Sequence, residues 1–532
     1  MGRLRPLMNR TNISRRTFIS TVAGATLASG CTRRTRWTGG IVGAAHAAGH
    51  RLRSGGFPAP ARTEACPAVI VGGGIAGLTA AHHLGKDGRD FMLLELEAET
   101  GGNAACGVNS VSAYPWGAHY VPLPNAETTE VLSLLEDFGV LTGRSADGLP
   151  TYDETMLCAD PMERLFTRGR WQEGLLPQTG ISADDRRQYD EYFAQMETWR
   201  AATGSDGRRA FAIPVDLSSR DPQFTALDTL TMRAFMDSRG WTCAPLRWYV
   251  DYSCRDDYGA GFDAVSAWAG VHYFAARNGH AANAAHDAVL TWPEGNGWLA
   301  RRLAEPVRAK IRSGCIVWNV EPHDGGVRVD YFDLARSESV RLEADAAICA
   351  APRFIAQRIV RGLAPLALEY SPWMVANLTL DALPTGSGAA LAWDNVFERS
   401  DSLGYIVATH QSLRSVPRET VLTHYWPLDR EPPRAARERA LARTYDEWCA
   451  IIVADLARAH PDIAAHIRHL DVWLWGHGMI RPVPGFIWGP ARTQMLPPLG
   501  RIFFAHSDMS GLSIFEEACT RGAHAARALL AA

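Results

Sequence analysis

Gly72-Gly73-Gly74-Ile75-Ala76-Gly77 directly follows the apolar run Ala68-Val69-Ile70-Val71, and Leu78 to Leu84 continues with helical character. A short apolar run closed by glycine reads as a buried parallel strand. Gly72, Gly74 and Gly77 have the G-x-G-x-x-G spacing, and a second apolar run, Phe91 to Leu94, ends in Glu95. An acid about 20 residues beyond the glycines completes the fingerprint of a βαβ unit that binds a dinucleotide. Gly72 allows the tight turn, Gly74 lets the backbone approach a pyrophosphate, and Gly77 allows close packing of helix on strand. The helix N-terminus at Ile75 and Ala76 turns free N–H groups and a positive dipole end toward the phosphates. Glu95 then accepts hydrogen bonds from ribose hydroxyls.

The following segment, Glu95-Leu96-Glu97-Ala98-Glu99-Thr100-Gly101-Gly102-Asn103, resembles the LEA…GGR segment of the flavin amine oxidase family, which also holds related desaturases. The resemblance implies FAD as cofactor, with Gly101 and Gly102 along its pyrophosphate. Asn103 stands where that family has arginine, so anion binding falls more heavily on backbone donors. Two more stretches carry the resemblance. Gly314 to Val320, followed by Ala344 to Pro352, resembles the second FAD segment and implies that the Val317 backbone holds the adenine. Arg501-Ile502-Phe503-Phe504-Ala505-His506-Ser507-Asp508, with Glu517-Ala518 and Gly522 beyond, resembles the terminal segment. Its acid falls one place late, so either Ser507 or Asp508 meets the ribityl chain, and Ser513 and Ile514 complete the set.

The implied architecture is α/β: a discontinuous, Rossmann-like FAD-binding domain with an inserted α+β substrate domain. The FAD-binding parts are residues 66–125, 286–355 and 485–532. The substrate parts are 126–285, mostly helical, and 356–484, with a helix near 434–458. Cys315 to Val320 and Val327 to Tyr331 flank Asp324-Gly325-Gly326 as a hairpin.

Trp116-Gly117-Ala118-His119-Tyr120 resembles the family's Gly-Ala stretch against the flavin ring. His119 is a candidate proton acceptor, since an unperturbed histidine titrates near neutrality. The competing reading is a structural histidine. His477 is a second candidate, within Trp473-Leu474-Trp475-Gly476-His477-Gly478-Met479, whose aromatics could wall a cationic amine. Arg255-Asp256-Asp257-Tyr258 offers paired carboxylates to a polyamine, but reads first as a solvated loop with an internal ion pair. Many relatives place a lysine near the flavin. Here the only lysines are Lys86 and Lys310, and Tyr370 to Leu378 contains none. This weakens the case for an oxygen-reacting enzyme and opens that for a dehydrogenase, with the electron acceptor left as oxygen, a quinone or a redox protein. The expected reaction is hydride transfer from a small-molecule substrate C–H, an amine first, to FAD. A desaturase acting on an apolar substrate and a non-catalytic FAD-binding envelope protein are the alternatives.

Ser14-Arg15-Arg16-Thr17-Phe18, with the apolar run from Phe18 to Gly30, resembles a twin-arginine signal. Export machinery is then a partner, and the destination is the periplasm or cell envelope. Ala28-Ser29-Gly30-Cys31 resembles a lipoprotein box, so Cys31 is either a lipid anchor or cut away. Residues 32–65 lack apolar periodicity and read as a tether or wrapping arm. The formal net charge of -3 gives no electrostatic case for nucleic acid. The ten cysteines permit disulfides after export but show no metal-ligand spacing.

Overall fold

The computed structural model describes residues 37–412 and 418–532. The signal expected over 1–31, Cys31 included, lies outside the described residues. The fold begins well before Cys66. Strand β1 (Ile41–Gly43) pairs in parallel with a strand near the other end of the chain, and helix α1 (His46–Ser54) follows. The segment is therefore a wrapping arm with structure of its own. Its lack of periodicity has a physical reason. Helix α1 has no buried residue, and β1 is held by edge hydrogen bonds, which need no apolar stripe.

The dinucleotide-type unit is β2 (Arg62–Val71), α2 (Ile75–Lys86) and β3 (Met92–Leu94), with Val69 opposite Met92 and Val71 opposite Leu94 in parallel register. Helix α3 (Ala244–Tyr258) lies in the helical part. The predicted hairpin is β4 (Cys315–His323) and β5 (Gly326–Asp333), antiparallel. Next comes β6 (Glu338–Cys349), long enough to serve different neighbours along its length. Its first half pairs with β5, its last residues pair with β10 (Ile502–Phe504), and β2 runs beside both halves. Helix α4 (Arg353–Ile359) starts after Pro352. The closing helix α6 (Phe515–Leu530) packs on α2 so tightly that a Cβ on Gly522 would lie 2.2 Å from the Ala76 carbonyl oxygen. The two ends of the chain are thus joined in one nucleotide-type layer.

The second sheet has eight strands. At its centre are β7 (Tyr370–Leu380) and β8 (Thr420–Pro427), with β9 (Ile467–Ile480) on the other side of β7 and β1 at the edge. Helix α5 (Pro433–Ala442) ends at Arg443, so the single helix expected near 434–458 is two, the second being Tyr445–Leu456. Strand alternation sorts the side chains. Met374, Ala376 and Leu378 of β7, with Leu470, Val472 and Leu474 of β9, enter one apolar cluster. Trp373, Val375, Trp473 and Trp475 enter the cluster on the opposite face, which looks toward the nucleotide layer. Residues 126–285 are less helical than expected. The hairpin Glu163–Thr167 and Arg170–Glu173 extends the eight-stranded sheet. All nine cysteines among the described residues are free. No described helix is long and apolar enough to cross a membrane.

Ile348 is fully buried in β6, between β2 and β10. Ile348→Ala is expected to cost about 2–5 kcal/mol. A thermal melt indistinguishable from wild type would show that this strand is not central to the layer.

Candidate active site

The Gly72 turn behaves as its spacing predicts. Gly72 has φ +103°, and a Cβ on Gly77 would meet the Gly72 carbonyl oxygen at 1.9 Å, so helix and turn touch backbone to backbone. Around a Cβ on Gly74 only the Gly102 Cα comes near, at 3.8 Å, which leaves that side open. The openings join a trough of about 510 Å³. Gly72, Gly74, Ile75 and Ala76 line it, as do Glu95, Leu96, Gly101, Gly102, Asn103 and Val317. Gly73 is not part of the trough lining but holds the acid: its N–H donates to the Glu95 carboxylate at 2.6 Å. The Glu97 N–H donates to the other Glu95 oxygen at 2.8 Å. Burial raises the Glu95 pKa against these two donors.

The displaced acid of the terminal segment is settled by orientation. Ser507 and His506 line the trough, and Asp508 does not. Asp508 is buried and accepts from the Arg353 N–H at 2.8 Å and the Tyr370 hydroxyl at 2.6 Å. Burial opposes its charge, but His506 and these donors prevail and hold its pKa low. Asp508 is therefore a brace at the start of α4 and does not reach the trough, contrary to expectation, whereas Ser507 does.

A smaller cavity of about 140 Å³ adjoins the trough. Asn103, Ala118, Trp373, Trp475, Ser513 and Ile514 line both. Its near wall is the segment Pro115 to Tyr120, and every carbonyl of that segment accepts a hydrogen bond. Asn377 Nδ2 serves Pro115 at 2.9 Å, Trp475 Nε1 serves Trp116 at 2.7 Å, and the Tyr425 hydroxyl serves Gly117 at 2.8 Å. The Asn296 N–H serves Ala118 at 3.0 Å, Thr291 Oγ1 serves His119 at 2.7 Å, and Asn296 Nδ2 serves Tyr120 at 3.0 Å. A Cβ on Gly117 would lie 2.2 Å from the Asn103 carbonyl oxygen, so the segment rests directly on the second glycine turn. Asn103 itself donates through Nδ2 to the Gly478 carbonyl.

The far wall is acidic. Asp256, Asp257 and Glu516 line it beside Arg277. The first two belong to helix α3, where Asp257 is buried, so the expected solvated loop is a packed helix instead. The expected internal ion pair is also absent. Arg255 points away to Asp429, with Nε 2.8 Å from its carboxylate, and Asp257 takes Arg277, whose Nη2 lies 2.8 Å from both oxygens. Asp256 has the Tyr120 hydroxyl at 3.5 Å and no cation of its own. Burial, then the Asp257 charge, raises Asp256 to about 7. Burial also raises Glu516 to about 7. Trp373, Tyr425, Trp475 and Tyr120 supply aromatic walls between these acids and the trough.

One of the two candidate histidines reaches the smaller cavity, and burial shifts both below the ordinary histidine range. His119 lines the smaller cavity, packed on Tyr425 with ring centroids 4.6 Å apart. Burial lowers its pKa to about 4, so it is neutral at pH 7 and a weak base. Its Nδ1 lies 3.3 Å from the Gly117 carbonyl, which can only accept, so the proton sits on Nδ1. His477 lines the trough, not the smaller cavity, stacked on Phe354 at 4.2 Å. Burial, then Arg437, Arg53, His50 and Arg358, lowers it to about 3. Burial thus moves both histidines away from neutrality, while in the chamber it raises Asp256 and Glu516 toward it. Glu516, Arg277 and Tyr425 were missed in the sequence. Only Tyr425 carried a signal, as an alternate residue of a strand.

Removing one partner of a buried ion pair strands the other charge. Asp257→Asn is therefore expected to destabilise the protein by about 3 kcal/mol, and Asp257→Leu with Arg277→Met to recover most of that loss. Chemical denaturation of the three proteins checks this; equal losses in the single and double variants would refute it.

Residues 70–138 match the model of an NAD(P)-binding Rossmann-like domain. A search of curated protein sequences found no relative. Among solved structures, putrescine oxidase bound to putrescine is similar with a TM-score of 0.63 at 16% identity, covering 88% of this chain and 100% of that one. Cyclohexylamine oxidase from Brevibacterium oxydans IH-35A is similar at 0.62 and 15%, covering 87% and 98%. A fatty acid isomerase from P. acnes is similar at 0.60 and 14%, covering 86% and 97%. The chain has the mixed α/β fold of these proteins, built on a Rossmann-like nucleotide-binding domain.

Proposed function

We propose that the protein is an FAD-dependent oxidoreductase that oxidises a small amine at the carbon beside nitrogen. One observation carries this reading: a dinucleotide-sized trough shares its wall with a small chamber that is aromatic on its sides and acidic at its end. The residues present fit the cofactor. The Gly74 side is open and would admit a pyrophosphate, Glu95 would hold a ribose, and the Val317 backbone would hold an adenine. Ser513 and Ile514 stand where the trough meets the chamber. Bound FAD would supply the two-electron acceptor for a hydride from the substrate.

The chain's own residues do the rest. An ammonium entering the chamber meets the faces of Trp373, Tyr425 and Trp475, which attract a desolvated cation. Asp256 holds it and accepts its proton, since oxidation at carbon needs the free amine. A carboxyl raised to about 7 is matched to that exchange at neutral pH. His119, with its proton on Nδ1, presents a bare Nε2 lone pair in the same wall. Arg277 keeps Asp257 occupied, which leaves Asp256, like Glu516, without a fixed cation among the described residues. Three carboxylates around so small a chamber disfavour the apolar chain of a desaturase substrate. The signal expected over residues 1–31 suits a protein that takes up its cofactor in the cytoplasm and is exported folded.

The test is a flavin spectrum of the purified protein, followed by anaerobic addition of primary amines. Bleaching of the flavin band with an amine is the expected result; bleaching only with another substrate class would refute it. Asp256 is raised, so it is protonated below about pH 7 and charged above. Substrate ammonium groups stay charged across that range, so kcat/KM is expected to rise with pH through 7 and then level. Asp256→Asn is expected to remove the rise and lower kcat/KM about 100-fold. A flat wild-type profile would exclude Asp256 from the proton step.

A further inference from the structure

Helix α1 puts the wrong side inward for a packing element. His46, Gly49, His50 and Arg53 fall at the i, i+3, i+4, i+7 spacing of one helix face, and all four line the trough. A helix that packs for stability turns an apolar stripe to its neighbour. Apart from Leu52, this one turns polar or open positions toward a cavity, with Arg53 as its cation.

The arm is held there from both sides. Toward the eight-stranded sheet, the Gly40 N–H donates to Asp471 at 3.0 Å, and the Val472 N–H to the Gly40 carbonyl at 2.9 Å. Toward the nucleotide layer, the Ala45 N–H donates to the Glu97 carboxylate at 2.9 Å and 3.1 Å. Arg51 lies over Phe332 at 4.3 Å, and Phe57 stacks on Trp318. The helix therefore begins beside Glu97, two residues from the ribose acid. It ends among the cations that surround His477.

Among the described residues, Arg53 and Arg358 line the trough without an ion pair, and Arg437 donates to the carbonyls of Tyr370 and Gly476, at 3.3 Å and 3.5 Å. Arg53 and His46 lower the pKa of His50 after burial does, and Arg53 lowers that of Arg437. The group thus repels itself while the trough holds no anion. The glycine turn below it carries no cation, because position 103 is asparagine and its amide is donated to Gly478.

We propose that residues 44–54 form a third wall of the dinucleotide site, in which His50 and Arg53, with Arg358 and Arg437, bind the cofactor's diphosphate. This rests on the FAD reading above. The arm then closes over the bound dinucleotide and ties its retention to the docking of β1 on the second sheet.

The experiment follows release of flavin from the holoprotein by the recovery of flavin fluorescence, with tryptic cleavage after Arg51 and Arg53 read in parallel. Losing a charged hydrogen bond is expected to speed release about tenfold in Arg53→Ala, and further with His50→Ala added. Arg53→Lys keeps the charge and is expected to stay near wild type. Arg434→Ala removes an exposed arginine of α5 paired with Glu438, outside the trough lining, and is expected to change nothing. The arm is expected to resist trypsin in the holoprotein and to be cut once flavin is removed. Release unchanged in both alanine variants would overturn the proposal, as would equal cleavage with and without flavin. So would a defect confined to turnover with an acidic protein acceptor, since the cations would then serve docking. A wild-type protein that purifies without flavin refutes the FAD reading itself and is told apart by its absorbance spectrum alone.

Discussion

Every carbonyl from Pro115 to Tyr120 is taken, and the donors come from widely separated parts of the chain. Asn377, Tyr425 and Trp475 belong to the second sheet, while Thr291 and Asn296 lie in the return to the nucleotide layer. A single such bond contributes only about 1 kcal/mol net, so the ladder matters less as a sum than as a constraint. It leaves the segment no freedom to slide between the two sheets. Gly117 seats it on the Asn103 carbonyl, so the floor of the smaller cavity and the second glycine turn share one position. Trough and chamber stay in register because this strip of backbone belongs to both.

The two spaces carry opposite charge, which follows from what encloses them. The trough is rimmed by Arg53, Arg358 and Arg437, and its own acids are committed: Glu95 to the N–H groups of Gly73 and Glu97, and Glu97 to Ala45. The chamber is closed by Asp256, Asp257 and Glu516, with one arginine among them. An anion is drawn to one and a cation to the other, and aromatic rings with few polar atoms stand between. Low polarity in that partition strengthens each field locally and keeps them from cancelling through water.

The nucleotide unit was legible because its physics is local. Gly72, Gly74 and Gly77 act within six residues of one another, and β4 and β5 announce themselves by their turn. The arm was not, because α1 buries no side chain and β1 depends on a strand more than 400 positions away. Asp256 and Asp257 looked like a solvated loop because their setting is tertiary. Val250, Cys254 and Tyr258 pack into the helical core, and the cation that holds Asp257 comes from position 277. His119 shows the same limit. Its residue type predicts titration near neutrality, and only burial beside Tyr425 reveals that it stays neutral.

The absent lysine has a structural counterpart. Lys86 lies against Asp137 at 2.6 Å and Lys310 against Asp90 at 2.8 Å, both outside the lining of the two cavities. No described residue of the chamber is a cation free of a carboxylate, since Arg277 is held by Asp257. The charge chemistry of the chamber is therefore that of carboxylates. Two of them, Asp256 and Glu516, are poised near neutrality by burial. Such a site binds a cation by ionising and releases it by taking up its proton, so the group that attracts the substrate also discharges it. That couples binding to deprotonation within one side chain. It also removes the need for a separate base, which His119, neutral and weakly basic, could not supply.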